Sequence, residues 1–283
     1  MWVKHENHTP VGSFKVRGGL VYMSDLRARR REIRGVVAAT RGNHGQSIAF
    51  AARRLGLLAA IVVPEGNSAE KNAAMRALGA EVIVHGDDFQ EAYEHVPEIS
   101  NERGWVIVPS FHPELSRGIA SYALELFGAV PDLDAVYVPI GLGSGICAVI
   151  AARDALGLRT RVVGVVAENA PAYALSFREG RPVSTEKSDT IADGLACRVP
   201  DPGALDVILR GADRVVTVSE KAIRAAMRHY FTDTHNVAEG AGAAPLAALL
   251  KEAEAMAGRR VALVLTGGNV DASVYREVLT EPS

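Results

Sequence analysis

The sequence predicts a doubly wound α/β fold, and three observations carry the prediction. Short runs rich in Val, Ile and Ala recur along the chain, helical stretches separate them, and the runs are apolar throughout instead of alternating with polar residues. A strand that is apolar on both faces has no side left for water, which requires a parallel sheet with helices above and below it. In chain order, residues 1–4 (MWVK) start inside a strand. Residues 35–40 (GVVAAT) form the next strand, residues 46–55 a helix and residues 59–63 a strand. Residues 67–70 (NSAE) offer an N-cap with a carboxylate three places on, and the helix they open stops at Leu78-Gly79, ahead of a strand at 81–84. The rhythm returns with strands at 135–140, 161–166, 214–218 and 261–265. Residues 184–211, broken by Pro200 and Pro202, show little periodicity and are expected to wrap the surface as a long loop of a kind that often carries function.

Composition narrows the function. With 31 Lys and Arg against 33 Asp and Glu, the net charge of -2 offers no field to recruit nucleic acid or an anionic membrane surface. A chain that is 48% hydrophobic and 23% charged is globular and neither disordered nor fibrous. Its 283 residues make one large domain or two lobes, at roughly 100–200 residues per domain. The longest apolar stretch, 135–152, is interrupted by Pro139, Gly141, Gly143 and Gly145, and residues 1–10 are too polar for a secretory signal. The two cysteines, Cys147 and Cys197, lack the spacing of a zinc or redox pair, so a cytoplasmic setting is expected. His5, His8, His85, His95, His112, His229 and His235 show no ligand spacing, and the basic run from Arg27 to Arg34 reads as a solvated helix face.

Four segments carry chemistry. Most of the positive charge is arginine, so Lys15, set between a Gly-Ser turn and an Arg-Gly step, stands out. A partly buried amine there would have a lowered pKa and could form a Schiff base; the alternative is an exposed, snorkelling side chain. Thr40-Arg-Gly-Asn43-His44-Gly-Gln46 follows a strand and opens a helix, a place where free backbone N–H groups hold an anion. Pro139-Ile-Gly141-Leu-Gly143-Ser-Gly145 is again strand, glycine turn, helix, and lets amides approach a phosphate; dinucleotide and mononucleotide folds share this pattern. Leu265-Thr266-Gly-Gly268-Asn269-Val-Asp271 ends the last strand.

In this order the four segments resemble the fold-type II pyridoxal-phosphate enzymes, and within them the serine/threonine dehydratase and serine racemase family. The resemblance runs from Lys4 to Asp271, and Ser13-Phe14-Lys15-Val-Arg-Gly18 with Gly42-Asn43-His44-Gly45-Gln46 is its specific pair. It implies a tryptophan-synthase β-like architecture of two doubly wound lobes, a small mobile one at 33–114 and a large cofactor-binding one at 1–32 and 115–283. By the same resemblance Lys15 is the Schiff-base lysine and Phe14 the aromatic on the pyridine ring. Asn43 bonds the ring hydroxyl, and Thr40, Arg41, Gly42, Asn43 and His44 form the loop that grips the substrate carboxylate. Gly141, Leu142, Gly143, Ser144 and Gly145 hold the cofactor phosphate, and Thr266 meets the pyridine nitrogen. Glu239 matches a glutamate close to the ring and Gly194 a wall of the pocket. The implied reaction is loss of the α-proton to Lys15 and of the β-hydroxyl with acid assistance, releasing a 2-oxoacid and ammonia from L-threonine or L-serine.

The departures from the family pattern matter as much. Racemases carry a serine base where this chain has Arg41, a permanent cation, so a dehydratase is expected over a racemase. Arg41 leaves open a second substrate carboxylate, as on 3-hydroxyaspartate, or a solvent-facing side chain. Glu168 matches the first ligand of a divalent cation in many relatives, but residue 174 is Ala174, which leaves open whether Mg, Ca or a monovalent cation binds. Leu142 and Ser144 replace two glycines of the usual phosphate tetrad. Relatives carry some tens of residues before the position of Lys4, so a truncated, non-catalytic cofactor-binding homologue is the other reading. The sequence stops soon after Asp271, so the regulatory domain of biosynthetic threonine dehydratases, and isoleucine feedback through it, are not expected. β-Replacement synthases usually show threonine after the Gly-Asn, where this chain has His44, and a dinucleotide fold would need an acidic residue that Glu168 matches only loosely. A homodimer or homotetramer is expected from the resemblance.

Overall fold

The computed structural model describes residues 1–281. In chain order these form β1 (Trp2–His5), α1 (Lys15–Arg29), β2 (Gly35–Ala39), α2 (Asn43–Arg54), β3 (Leu58–Val63), α3 (Ala69–Ala77), β4 (Glu81–Val84) and α4 (Phe89–Arg103). There follow β5 (Val106–Ile107), α5 (Pro113–Ala129), β6 (Ala135–Pro139), α6 (Ser144–Ala155), β7 (Arg161–Ala167), α7 (Ala172–Glu179) and a short 3-10 turn (Asp193–Leu195). The chain continues with α8 (Pro202–Gly211), β8 (Arg214–Val218), α9 (Glu220–Thr234), α10 (Gly240–Lys251), β9 (Val261–Leu265) and α11 (Ala272–Thr280). Every strand pairing among the described residues is parallel, as the apolar runs predict.

The chain divides into two compact units, one of Thr9–Gly118 and one of Met1–His8 with the chain from Ile119 onward. The sequence-based lobe boundaries at 33 and 114 differ from this division, which puts residues 9–32 with the smaller unit. The reason is helix packing: α1 lies on α2, and at Gly19 an added Cβ would stand only 2.1 Å from Ser47 Oγ.

The smaller unit is a four-stranded sheet in the order β4-β3-β2-β5. Its strands are apolar throughout because successive residues feed two cores. Val36, Ala38, Ile61 and Val63 pack with Met23, Ile48, Ala52 and Met75 on one face, while Val37, Ala39, Ala60 and Val62 pack with Ala92, Val96 and Ile99 of α4 on the other. The larger unit is a five-stranded sheet in the order β1-β9-β6-β7-β8. There α10 crosses β6, β7, β8 and β9, α6 packs on β6 and β7, and Tyr137, Val163, Val165, Leu263 and Leu265 join α9 and α10 in one core. No helix among the described residues is long and apolar enough to cross a membrane.

Local details differ from the sequence reading. Part of the expected loop at 184–211 is helix α8: Asp201 caps it by accepting from Ala204 N at 2.9 Å, and Pro202 occupies its first turn, where the missing N–H costs nothing. The N-cap of α3 is Ser68, accepting from Lys71 N at 3.0 Å, not Asn67, whose side chain instead donates to Asn72. The basic run is partly engaged: Arg27 reaches back to the Ile33 carbonyl at 3.0 Å, and Arg29 pairs with Glu114 at 2.6 and 2.7 Å.

Candidate active site

Each sheet has one place where the chain reverses its direction of winding. In the smaller unit β2, β3 and β4 run one way and β5 lies on the other side of β2; in the larger unit β6, β7 and β8 run one way and β9 lies on the other side of β6. Open α/β sheets bind ligands beyond the carboxyl ends of the strands at these points. The Thr40–His44 segment follows β2, Gly141–Gly145 follows β6 and Thr266 follows β9, so the sequence-predicted residues fall at both reversals.

In the smaller unit, Lys15 is the first residue of α1 and the buried Phe14 is its N-cap, with Lys15 Nζ 5.1 Å from the Phe14 ring centroid. The approach to the lysine is fixed by Thr9, whose Oγ1 accepts from Ser13 N at 2.9 Å and donates to Ser13 O at 2.8 Å. Behind the lysine, Ser47 Oγ of α2 donates to the Lys15 carbonyl at 2.7 Å. This bond was not legible from sequence. Its only signal is a small hydroxyl residue one turn beyond Asn43, so that α1 and α2 approach closely and Lys15 is set against the start of α2.

Asn43 and His44 lie in the first turn of α2, three residues earlier than the sequence places that helix. Thr40 Oγ1 accepts from the amides of Gly42 at 2.8 Å and Gly45 at 3.1 Å, so this hydroxyl shapes the turn, and what it offers a ligand is its own proton. Gly45 is required by packing, since a Cβ there would lie 2.5 Å from both Met75 Sδ and Thr40 Cγ2. His44 is buried, and burial first, then the Lys15 charge, pushes its pKa down to about 3; the imidazole is neutral at physiological pH. Among the described residues, His44 Nε2, Ser13 Oγ, Gln46 Nε2 and Arg41 Nε are buried without a hydrogen-bond partner. Such atoms are costly unless a ligand or water meets them.

In the larger unit, Gly143 is the N-cap of α6 with a left-handed φ of 99° and has no side chain with which to cap the helix. The amides of a helix's first turn have no intrahelical acceptor and, with the helix dipole, suit an anion. The cradle is shaped by contacts that allow no side chain: a Cβ on Gly141 would stand 2.2 Å from the Gly194 carbonyl oxygen, and one on Gly194 would stand 2.9 Å from Ala241 Cβ. Glu239, buried, precedes α10 and donates its N–H to Gly267 O at 3.1 Å, beside the buried Thr266. The structure therefore gathers Gly141–Gly145, Gly194, Glu239 and Thr266 around the carboxyl ends of β6 and β9. Glu168 is not gathered with other ligands: it is exposed after β7, and no group of three or more His, Cys, Asp or Glu side chains among the described residues is placed to hold a metal. Taken unit by unit, the glycine cradle at the start of α6 suits a phosphate, and the buried unpartnered polar atoms at the Thr40–His44 turn suit the polar groups of a ligand.

Comparison with known proteins gives the same answer. The chain is 36% identical to the L-threonine ammonia-lyase of Thermotoga maritima over 99% of this chain and 70% of that one. It is 35% identical to the catabolic L-threonine dehydratase of Escherichia coli over 98% of this chain and 85% of that protein. The threonine deaminase isoform 2 of Solanum lycopersicum superposes with a TM-score of 0.91 at 31% identity, covering 99% of this chain and 83% of that one. The sequence pattern of pyridoxal-phosphate dependent enzymes matches residues 1–267. On that match, and on a fold whose two sheets present the expected segments at their reversals, the chain belongs to the pyridoxal-phosphate dependent enzyme family.

Proposed function

We propose that this protein is a pyridoxal-phosphate-dependent ammonia-lyase that converts L-threonine, and L-serine beside it, to the 2-oxoacid and ammonia by α,β-elimination. The observation that carries the reading is the likeness to an L-threonine ammonia-lyase over 99% of the chain. It is supported by a lysine that opens a helix beside a buried neutral histidine. Bound pyridoxal phosphate supplies the electron sink for bond breaking at the substrate Cα. Lys15 would hold the cofactor through Nζ and, once released by the substrate amine, would be free as the base for the Cα proton. Phe14 would pack on the ring, Asn43 would bond its hydroxyl, and the amides at the start of α6 would hold its phosphate. The Thr40–His44 turn binds the substrate carboxylate. Thr266 would offer the ring nitrogen a neutral hydroxyl, which would not hold it protonated as a carboxylate would and so would favour loss of the β-hydroxyl. Gly194 and Glu239 complete the cofactor surroundings.

Arg41, a permanent cation, supplies no second base for racemisation. It also supports a second substrate, 3-hydroxyaspartate, because its Nε is buried without a partner among the described residues and suits an additional carboxylate. The enzyme is expected to work in the cytoplasm as a homodimer or homotetramer, which sedimentation equilibrium tests. The deciding experiment is a visible spectrum of the purified protein, borohydride reduction with mapping of the labelled residue, and assay of 2-oxoacid and ammonia from L-threonine, L-serine and threo-3-hydroxyaspartate. Label on Lys15 with 2-oxoacid from L-threonine is the expected result. Preference for the dicarboxylate, lost in Arg41→Ala, moves the assignment to 3-hydroxyaspartate. Label without product identifies a non-catalytic cofactor-binding homologue.

A further inference from the structure

Behind the phosphate cradle stands a side chain that nothing in the cofactor chemistry requires. Tyr173, on α7, is 1% exposed, and its hydroxyl is placed between two backbone groups. It donates to the Leu142 carbonyl at 3.0 Å and accepts from the Asp201 N–H at 3.1 Å. Leu142 is in the glycine turn and Asp201 is the N-cap of α8, so one phenol links the turn to the helix behind it. The two are packed as well as bonded: a Cβ on Gly143 would lie 2.6 Å from Ala204 Cβ and 3.5 Å from Tyr173 Oη. Cys147 Sγ donates to the Ala204 carbonyl at 3.6 Å from the other side.

The geometry points to a role. In a trans, planar peptide the carbonyl and the following N–H point in opposite directions, and no peptide among the described residues is cis. A Leu142 carbonyl held toward Tyr173 therefore aims the Gly143 N–H away from Tyr173. Gly143, with its φ of 99°, is the residue next to which this peptide plane rotates most freely. Rotation would replace a donor by a carbonyl oxygen in an anion site. We propose that Tyr173 is a positioning residue for the cofactor phosphate, its hydroxyl pinning the Leu142–Gly143 peptide so that the turn presents its N–H. Burial raises the phenol pKa, which keeps the hydroxyl protonated and able to donate at any working pH.

The inference rests on the pyridoxal-phosphate reading above, and the test separates the two. Tyr173→Phe keeps the ring and removes the hydroxyl. Enzyme freed of cofactor is titrated with pyridoxal phosphate and, separately, with pyridoxal, which has no phosphate. The wild type is expected to bind both, and Tyr173→Phe to bind pyridoxal phosphate about tenfold more weakly with pyridoxal affinity unchanged. Ser176→Ala, which removes a hydroxyl on the same helix that bonds Ala172 O and Val183 and does not touch the turn, controls for general loosening of α7 and is expected to match the wild type. Equal affinity of Tyr173→Phe and wild type for pyridoxal phosphate overturns the inference alone, as does a parallel loss of pyridoxal affinity. A wild type that binds neither overturns the functional reading and this one with it.

Discussion

At the residue scale, the group with the largest consequence for pH is His44. Its folded pKa of about 3 lies below the usual 6.5, so between those values the unfolded chain binds a proton that the folded chain does not. Stability from this group is therefore complete above pH 6.5 and falls on acidification, by about 1.4 kcal/mol for each pH unit while the difference lasts. Urea denaturation of the wild type at pH 5.5 and 4.5, between the two pKa values, is expected to show this slope, and His44→Gln to lack that share of it. Ser47→Ala is the second residue-scale prediction. Losing the bond to the Lys15 carbonyl is expected to cost about 1 kcal/mol of stability, and kcat to fall more than KM rises, because the bond orients the lysine without touching substrate. Lys15 stands out in the sequence as a lysine among arginines in a Gly-Ser-Phe-Lys setting, but that alone leaves a snorkelling side chain open, and the role proposed for it comes from the resemblance. Ser47 was not legible, because its role depends on a helix crossing that local sequence does not encode.

At the scale of elements, strands were easier to read than helix ends. Apolar runs such as Val36 to Ala39 announce a strand by themselves, since alternate residues supply two separate cores. Helix α8 was hidden because a proline at its first turn and a preceding polar stretch look like breakers, although Asp201-Pro202 is a helix start. Asp201→Ala is expected to lose about 1 kcal/mol through the cap, read as a lower urea midpoint with an unchanged slope. The start of α2 was read three residues late because Gly42 and Gly45 suggest a loop. Gly45 in fact serves close packing against Met75 and Thr40. Gly45→Ala forces at least one of those neighbours to move and is expected to destabilise the protein by about 1–3 kcal/mol, with reduced turnover because the Thr40–His44 turn shifts with its helix.

At the scale of the whole molecule, the class of fold was in the sequence but the order of strands was not. Parallel pairing follows from strands with no polar face, whereas the placement of β5 beside β2 and of β9 beside β6 depends on contacts between residues far apart in the chain. Those two placements create the winding reversals, one in each sheet, at which the Thr40 and Gly141 turns stand, so the motifs were readable before the strand order that positions each of them. A ligand held only by the folded chain stabilises it by about 2.7 kcal/mol when its free concentration is a hundred times its dissociation constant. For a chain of this size that is a rise of roughly 5 °C in Tm, at about 2–4 °C per kcal/mol for 150–250 residues. Pyridoxal phosphate is expected to give this rise, tracking its concentration. Lys15→Ala, which keeps the phosphate cradle but loses the covalent bond, is expected to show a smaller rise at equal concentration. A Tm that ignores pyridoxal phosphate in the wild type would contradict the assignment of the glycine turn and Lys15 to the cofactor. An equal rise in both proteins would instead put nearly all of the binding energy on the phosphate cradle.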